Sequence, residues 1–554
     1  MMIKKKGIIL VLFFMAMFQL QAQDYNNFKI GKSIEIYSNV MRQLNLNYVD
    51  TIQPVDLTNL AIKTMLASLD PYTIYVPEKD REEFQIFIQG EYGGIGAVIQ
   101  KQGDYVVITD PYQGFPAQKA GLRAGDKIVK IDGKSAKNMS ADQVSNLLKG
   151  TPGSKIQITI QHFGDTTDTT VAMERQKIKI PNVPYYGVLK NDIGYISLNQ
   201  FNPNAANDVR NAFLDLKNNY HIKGVILDLR NNGGGLVNEA VNIANIFVKK
   251  GTEIVQTIGK LKSNDYTYRT TGKIVDGKIP LAILVNQNTA SASEIVSGSM
   301  QDLDRAVIIG QRTFGKGLVQ NIVPLPYGGE MKVTIAKYYI PSGRCIQAID
   351  YAHKNKQGEP IRVPDSLRRA FKTKDGRIVY DGGGITPDIK MKPTVFSQVT
   401  GDLYGQNYIF NFANMYAKDH KSISGPDSFR ISDSTFQAFK NYVKSKGFSY
   451  ETETGALLKR LKQSAQRENY YQALKPEIDS LNLTLKDEKQ HDLDKHKKEI
   501  DELLRLEIVG RYYYQSGKAE ASLVNDNEVT RAVQILSNKK EYESILKPKK
   551  DAKK

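Results

Sequence analysis

The stretch "LAILVNQNTASASEIVSGSMQD", residues 281–302, runs from five apolar residues through a polar turn into a helix-forming segment. Leu281–Val285 reads as a buried strand, and a helix is expected from about Ser291. The same unit recurs on either side. "IGYISL" (193–198), "GVILDL" (224–229) and "AVIIG" (306–310) are short strand-like apolar runs. Helical segments, among them "NAANDVRNAFLDLKNN" and "VNEAVNIANIFV", lie between several of them. Strands alternating with helices predict an α/β layer structure over about 176–345.

Ser291 stands where the predicted strand turns into the predicted helix, and its type and position admit two readings. A hydroxyl there is exposed, and the helix N-terminus offers N–H donors to an oxyanion. Ser291 and Glu294 also form a sound capping box, which needs no chemistry at all. A serine nucleophile needs a base, and none of the six histidines lies in the segments around Ser291. Lys316 is the nearest candidate, in "GQRTFGKGLVQ" (310–320). Gly310, Gly315 and Lys316 imitate a phosphate-binding loop, but Gly317 replaces the required hydroxyl. Such a loop must also open a helix, whereas "GLVQNIVPL" reads as a strand. A lysine acts as a base only when neutral, and its ordinary pKa of about 10.4 must be lowered by desolvation. The neighbours Phe314, Gly315, Gly317, Leu318 and Val319 suit that. Gln320, four residues on, would share a strand face with Lys316 and could orient the amine without adding charge. In "LDLRNNGGGLVNEA" (227–240), three glycines follow a strand and precede a helix. Their N–H groups could complete an oxyanion hole with the amide of Ala292, or the turn could simply be tight.

The chain has 554 residues, enough for three or four domains, with 41% hydrophobic and 24% charged residues. Its formal net charge of +17 admits a nucleic-acid partner, but no nucleic-acid recognition module is present, and a solvated basic tail explains the lysines near the end. Lys4–Lys6 followed by an apolar run from Ile8 to Phe18 has the layout of a secretory signal peptide, too short to span a bilayer. Cleavage is expected near Ala22 to Asp24. The single cysteine, Cys345, excludes an internal disulfide framework.

Residues 24–90 read as helical and polar. From about 91 to 175, "EYGGIGAVIQ", "YVVITD", "KIVKIDG" and "KIQITI" are β-type runs, with one good helix in "SADQVSNLLKG", where Val144, Leu147 and Leu148 share a face. Residues 348–383 are polar and interrupted, an insertion. Beyond 396 the chain is largely helical. One face there carries Phe436, Phe439 and Val443. A charged helix over "HDLDKHKKEIDELLRLEI" carries a seam at Leu493, Ile500, Leu504 and Ile508.

Taken in order, "LASLDPYTIYVPEKDREEF", "EYGGIGAVIQ…GLRAGDKIVKIDG", "LDLRNNGGGL", "NQNTASASEIVSGSMQD", "GQRTFGKGLVQ", "YYIPSGRCIQ" and "GGGITPDI" resemble the C-terminal processing proteases, also called tail-specific proteases. The resemblance covers roughly residues 60–392. It implies a crotonase/ClpP-like α/β catalytic core with an inserted β-rich PDZ domain; with the helical stretches read at both ends, the whole is a multi-domain α/β protein with an N-terminal helical segment and a helical C-terminal region. The expected segments are a signal peptide at 1–23, a helical region at 24–90 and the PDZ domain at 91–175. The protease core follows at 176–395 with its insertion at 348–383, then a helical domain at 396–535 and a basic tail at 536–554.

Carried over by motif, Ser291 is the nucleophile, Lys316 the general base and Gln320 its orienting partner. The backbone amides of Gly235 and Ala292 are the oxyanion donors. The PDZ carboxylate loop is Gly93, Gly94, Ile95, Gly96 and Ala97. The family implies peptide substrates with free C-terminal tails and no metal or organic cofactor; the leader makes an exported, periplasmic location the expectation. Cys345 stands where the family usually has serine and is expected to be structural. The helices after 396 leave docking on the core, homo-oligomerisation and adaptor recruitment open. Two rivals share the core layout: a retinoid-binding protein without this chemistry, and crotonase-type acyl-CoA enzymes. Retention of Ser291, Lys316 and Gln320 counts against the first, and the peptide-binding module against the second.

Overall fold

The computed structural model describes residues 27–548. The expected signal peptide and the last six residues of the expected basic tail lie outside them. The described residues are organised in two units, one formed by 27–81 with 320–334, the other by 82–319 with 335–548.

The first unit contains a helix over residues 27–47 and helix Pro54–Ala67. Strand Ile74–Val76 pairs antiparallel with 330–332. Asp70 fixes the turn before that strand by accepting the N–H groups of Tyr72 and Thr73 at 2.8 Å each.

The second unit holds the expected α/β core. Strand Tyr185–Leu189 is antiparallel to Ile193–Ser197. Ile193–Ser197, Gly224–Asp228, Leu281–Val285, Val307–Gly310 and Ile389–Lys390 then follow in parallel. Gly224–Asp228 and Leu281–Val285 are buried at every position. That is why they read as apolar runs rather than alternating ones, broken only at Asp228. Helices Ala205–Asn219, Val237–Phe247 and Ala292–Asp302 pack their apolar residues on one face. The opposite face is covered by the end of the chain. Val529, Ala532, Ile535, Leu536 and Tyr542 lie on Ile193, Tyr195, Ile226, Ala282 and Leu284.

This second face departs from the expected plan. Helix Lys539–Ile545 occupies part of the expected basic tail, and the Tyr542 ring is buried against the sheet. Its lysines face water while Tyr542 and Ile545 point inward, so composition alone read as a solvated tail. The insertion also has structure of its own. Ile349–Lys354 pairs with Pro360–Arg362, and Ala370–Lys372 with Ile378–Tyr380, as two antiparallel hairpins. The charged helix expected over "HDLDKHKKEIDELLRLEI" is broken at His496 between Tyr471–Lys495 and Lys497–Ser522. Its seam residues Ile500, Leu504 and Ile508 are nevertheless fully buried.

The β-rich module folds as a sheet in the order Ala97–Gln102, Tyr105–Pro111, Lys127–Ile131, Lys155–Gln161, Asp168–Glu174. Helix Ala141–Leu148, capped by Ser140 and Gln143, buries Val144 and Leu148. The order leaves Ala97–Gln102 as an edge strand.

Candidate active site

The loops at the carboxyl ends of the parallel strands form the site, the usual place for chemistry in an open α/β sheet. Val285 pairs with Gly310, and Asp228 with Leu284. The turns after these strands therefore start at one level.

Ser291 occupies the N-cap of helix Ala292–Asp302 with φ 57° and ψ −116°. Positive φ at a serine costs of order 1–3 kcal/mol and persists only where the surroundings enforce it. The enforcing group is Glu294. Its carboxylate has no exposed surface and accepts the N–H of Ser291 at 2.9 Å, of Gly315 at 2.8 Å and of Lys316 at 2.9 Å, together with the Thr313 hydroxyl. The Ser291 and Lys316 amides donate to the same oxygen, Glu294 Oε2. The backbones of the two residues singled out in the sequence are thus brought side by side on one carboxylate. Burial pushes the Glu294 carboxyl up to about 7, and the four donors act against that rise. Sequence reasoning saw Glu294 only as half of a capping box. The serine-to-glutamate spacing was the signal for it, but nothing local reveals that the same carboxylate reaches 22 residues onward.

The lysine loop is braced from several sides. Phe314 N–H donates to Thr289 O at 3.0 Å, Gly317 N–H to Gln347 Oε1 at 2.7 Å, and Ala348 N–H to Gly315 O at 2.9 Å. After it comes strand Leu318–Pro324, not a helix, so the phosphate-loop reading fails on geometry. Gln320 lies on that strand, and its Nε2 donates to Thr334 Oγ1 at 3.2 Å.

The glycine turn is tied to the serine turn. The N–H of Ala290 and the hydroxyl of Ser293 both donate to Asn232 O at 3.0 Å. Asn232 Oδ1 accepts the Gly234 N–H at 2.9 Å. A Cβ on Gly234 would come within 2.8 Å of Ser291 Cβ and 2.9 Å of Ala292 N, so only glycine fits against the serine. Gly235 is exposed, with φ 145°. Among the described residues, neither the Gly235 nor the Ala292 N–H has a hydrogen-bond acceptor.

The helix that begins at Ser291 is buried at every position from Ala292 to Asp302, and its far end is held by charge. Asp302 pairs with Arg344 at 2.8 Å, with side chains 0% and 1% exposed. Arg344 also donates to Gln301 Oε1 at 2.8 Å. Breaking such a buried pair from one side leaves an uncompensated charge. Arg344→Met is expected to destabilise the protein by about 3–5 kcal/mol, measured by urea unfolding. An unchanged midpoint would contradict this account of the helix.

In the β-rich module, Gly93 and Gly94 belong to strand Glu91–Gly94, paired with Gln176–Lys179. Ile95 and Gly96 form the turn into the edge strand that Ala97 begins. Gly96 has φ 74°, and a Cβ there would meet Phe115 Cβ at 2.5 Å. The histidines do not join the serine. His162 Nδ1 is 2.8 Å from Asp126 Oδ1 within the same β-rich module, and His221 precedes strand Gly224–Asp228 at its amino end.

Residues 192–353 match Peptidase family S41, residues 84–161 the PDZ domain, and residues 399–536 the family described as "Probable PDZ-protease, C-terminal helical domain". The chain is 36% identical to the carboxy-terminal-processing protease of Bartonella bacilliformis over 323 residues, 57% of this chain and 73% of that protein. It is 34% identical over 310 residues to a probable CtpA-like serine protease of Staphylococcus aureus, covering 56% of this chain and 61% of that one. It is also similar to the solved photosystem II D1 C-terminal processing protease, at 30% identity and a TM-score of 0.35, over 67% of this chain and 90% of that one. With a relative matched at this identity over nearly three quarters of its length, the chain belongs to peptidase family S41, the carboxy-terminal-processing proteases, and is a serine peptidase that carries a PDZ domain.

Proposed function

We propose that the protein is a serine endopeptidase that cuts exported proteins near their C-termini with a Ser291–Lys316 pair. Ser291 Oγ attacks the scissile carbonyl carbon as its proton passes to the Lys316 amine. The Gly235 and Ala292 N–H groups hold the carbonyl oxygen as it becomes negative. Collapse of the tetrahedral species breaks the C–N bond, and Lys316 returns the proton to the departing amine. Water then attacks the acyl-enzyme by the same route and releases the new carboxylate. Gln320 is assigned the role of orienting the lysine.

The observation that carries this reading is the single carboxylate oxygen of Glu294 that takes both the Ser291 and the Lys316 amide. A capping box alone would have no reason to bind the lysine loop as well. The acceptor-free amides of Gly235 and Ala292 support the oxyanion role.

The PDZ domain is proposed to receive the substrate's tail. An extended peptide would pair with the edge strand Ala97–Gln102, beside helix Ala141–Leu148, with its terminal carboxylate at the Gly93–Ala97 segment. The domain limits set out from the sequence, the cleaved leader at 1–23 and a periplasmic location complete the proposal, with adaptor binding and self-association assigned to the C-terminal helices.

An unstructured peptide with a free C-terminal carboxylate is expected to be cut upstream of its end. Its C-terminal amide should bind at least about tenfold more weakly, the loss of one charge-assisted set of hydrogen bonds. Equal affinity of acid and amide, by fluorescence anisotropy, would rule out carboxylate capture.

A further inference from the structure

Helix Asn527–Ser537 of the C-terminal domain opens beside the glycine turn. Its cap, Asp526, accepts the N–H groups of Glu528 and Val529 on Oδ1 at 2.8 and 3.0 Å. The other oxygen of Asp526 is 2.7 Å from Arg230 Nη1. Glu528 Oε2 accepts from that same nitrogen at 2.7 Å, and Glu528 Oε1 accepts from Gln311 Nε2 at 2.6 Å. From the sheet side, Asp228 accepts the Arg230 N–H and Nε–H at 2.9 Å each, and the Tyr195 hydroxyl at 2.7 Å.

The guanidinium is therefore shared between the core and the C-terminal domain. Its side chain is 17% exposed. Burial would lower its pKa, but the surrounding acidic groups, Asp228 first and then Asp526, together raise it, so the charge is held firmly. Arg230 is also the first residue of the turn that ends at Gly235. The next residue, Asn231, has φ 59° and is bolted to Asn286 by two hydrogen bonds of 3.0 and 2.9 Å. A turn of six residues held at its start by a largely buried guanidinium transmits any shift of that group to its end.

We propose that Asp526 and Glu528 make the C-terminal helical domain a positioning element of the reaction: they hold Arg230, and through it the glycine turn whose Gly235 amide faces the developing oxyanion. The inference rests on the oxyanion role proposed above for Gly235 and Ala292. It gives the C-terminal domain a direct hold on kcat, distinct from recruitment of substrate.

The test uses the full chain with Asp526→Asn and Glu528→Gln combined. Asparagine caps a helix as well as aspartate does, and Asp228 still compensates Arg230, so the fold is expected to survive. A milder variant, Glu528→Asp, keeps the charge and shortens its reach. The double variant should lose about 10- to 100-fold in kcat, the cost of a misplaced catalytic group, with KM unchanged. The Ki of a peptide boronate, which forms a tetrahedral adduct on the serine, should rise by the same factor, and Glu528→Asp should fall between. The melting temperature and tail-peptide affinity should not move. Wild-type kcat and boronate Ki in the double variant overturn the inference. So does a loss seen in KM alone, or one that tracks a general loss of stability and tail binding. Ser291→Ala, assayed alongside, separates the two ideas: full cleavage by that variant would defeat the underlying site reading instead.

Discussion

Ser291→Ala and Lys316→Ala are each expected to lower cleavage of an unstructured, free-tailed peptide by about 10⁴-fold or more, and the double variant to be no worse than either alone. Nucleophile and base act as one unit, so removing the second partner after the first costs little further. The residual rate over water would come from the oxyanion donors and from substrate binding. Tail-peptide binding should be unchanged in all three variants, because the PDZ sheet and its edge strand are built from residues 97–174 and share no side chain with the serine turn. Two outcomes of steady-state kinetics would defeat the assignment. One is substantial cleavage by either single variant. The other is additive losses in the double, which would make the lysine an independent contributor rather than the serine's base.

The second large effect is expected at Glu294. Glu294→Gln replaces one oxygen with an NH2 group that meets inward-pointing N–H or hydroxyl donors, so the loops holding Ser291 and Lys316 must move. A displacement of about 1 Å at a catalytic group costs on the order of 10²-fold, and kcat should fall by that amount. The pH dependence gives a second reading. In the wild type, protonating Glu294 puts a hydroxyl among donors with no acceptor for it, so kcat should fall as pH drops through about 7, where burial has pushed this carboxyl. Stability moves the other way. The folded state keeps the Glu294 proton up to about 7, whereas a solvated glutamate loses it near the ordinary value of 4.5. The folded state therefore binds more protons between those limits, and this group's contribution to stability declines as pH rises through that window, by about 3 kcal/mol in all. Unfolding curves of the wild type and Glu294→Gln, compared at several pH values, should diverge across that window. A constant difference would show that the buried carboxyl does not titrate there.

The sequence by itself determined the layer architecture, because strands buried on both faces are apolar along their length, as Leu281–Val285 is and as Gly224–Asp228 is up to its last residue, Asp228. The serine and the lysine of the proposed pair were also singled out there, since a hydroxyl at a strand-to-helix turn and a lysine among glycines are local patterns. The seam Ile500, Leu504 and Ile508 was legible for the same reason: periodicity is a property of one element. Only the tertiary structure decided what joins these elements. Glu294 spans 22 residues to reach Lys316, and Arg230 spans 298 residues to reach Glu528. A hydrogen bond leaves no mark on the residues between its ends, so no window of sequence contains it. The burial of Tyr542 against the sheet belongs to the same class. Its helix is short and lysine-rich, and it is ordered by the apolar face it covers rather than by its own propensity.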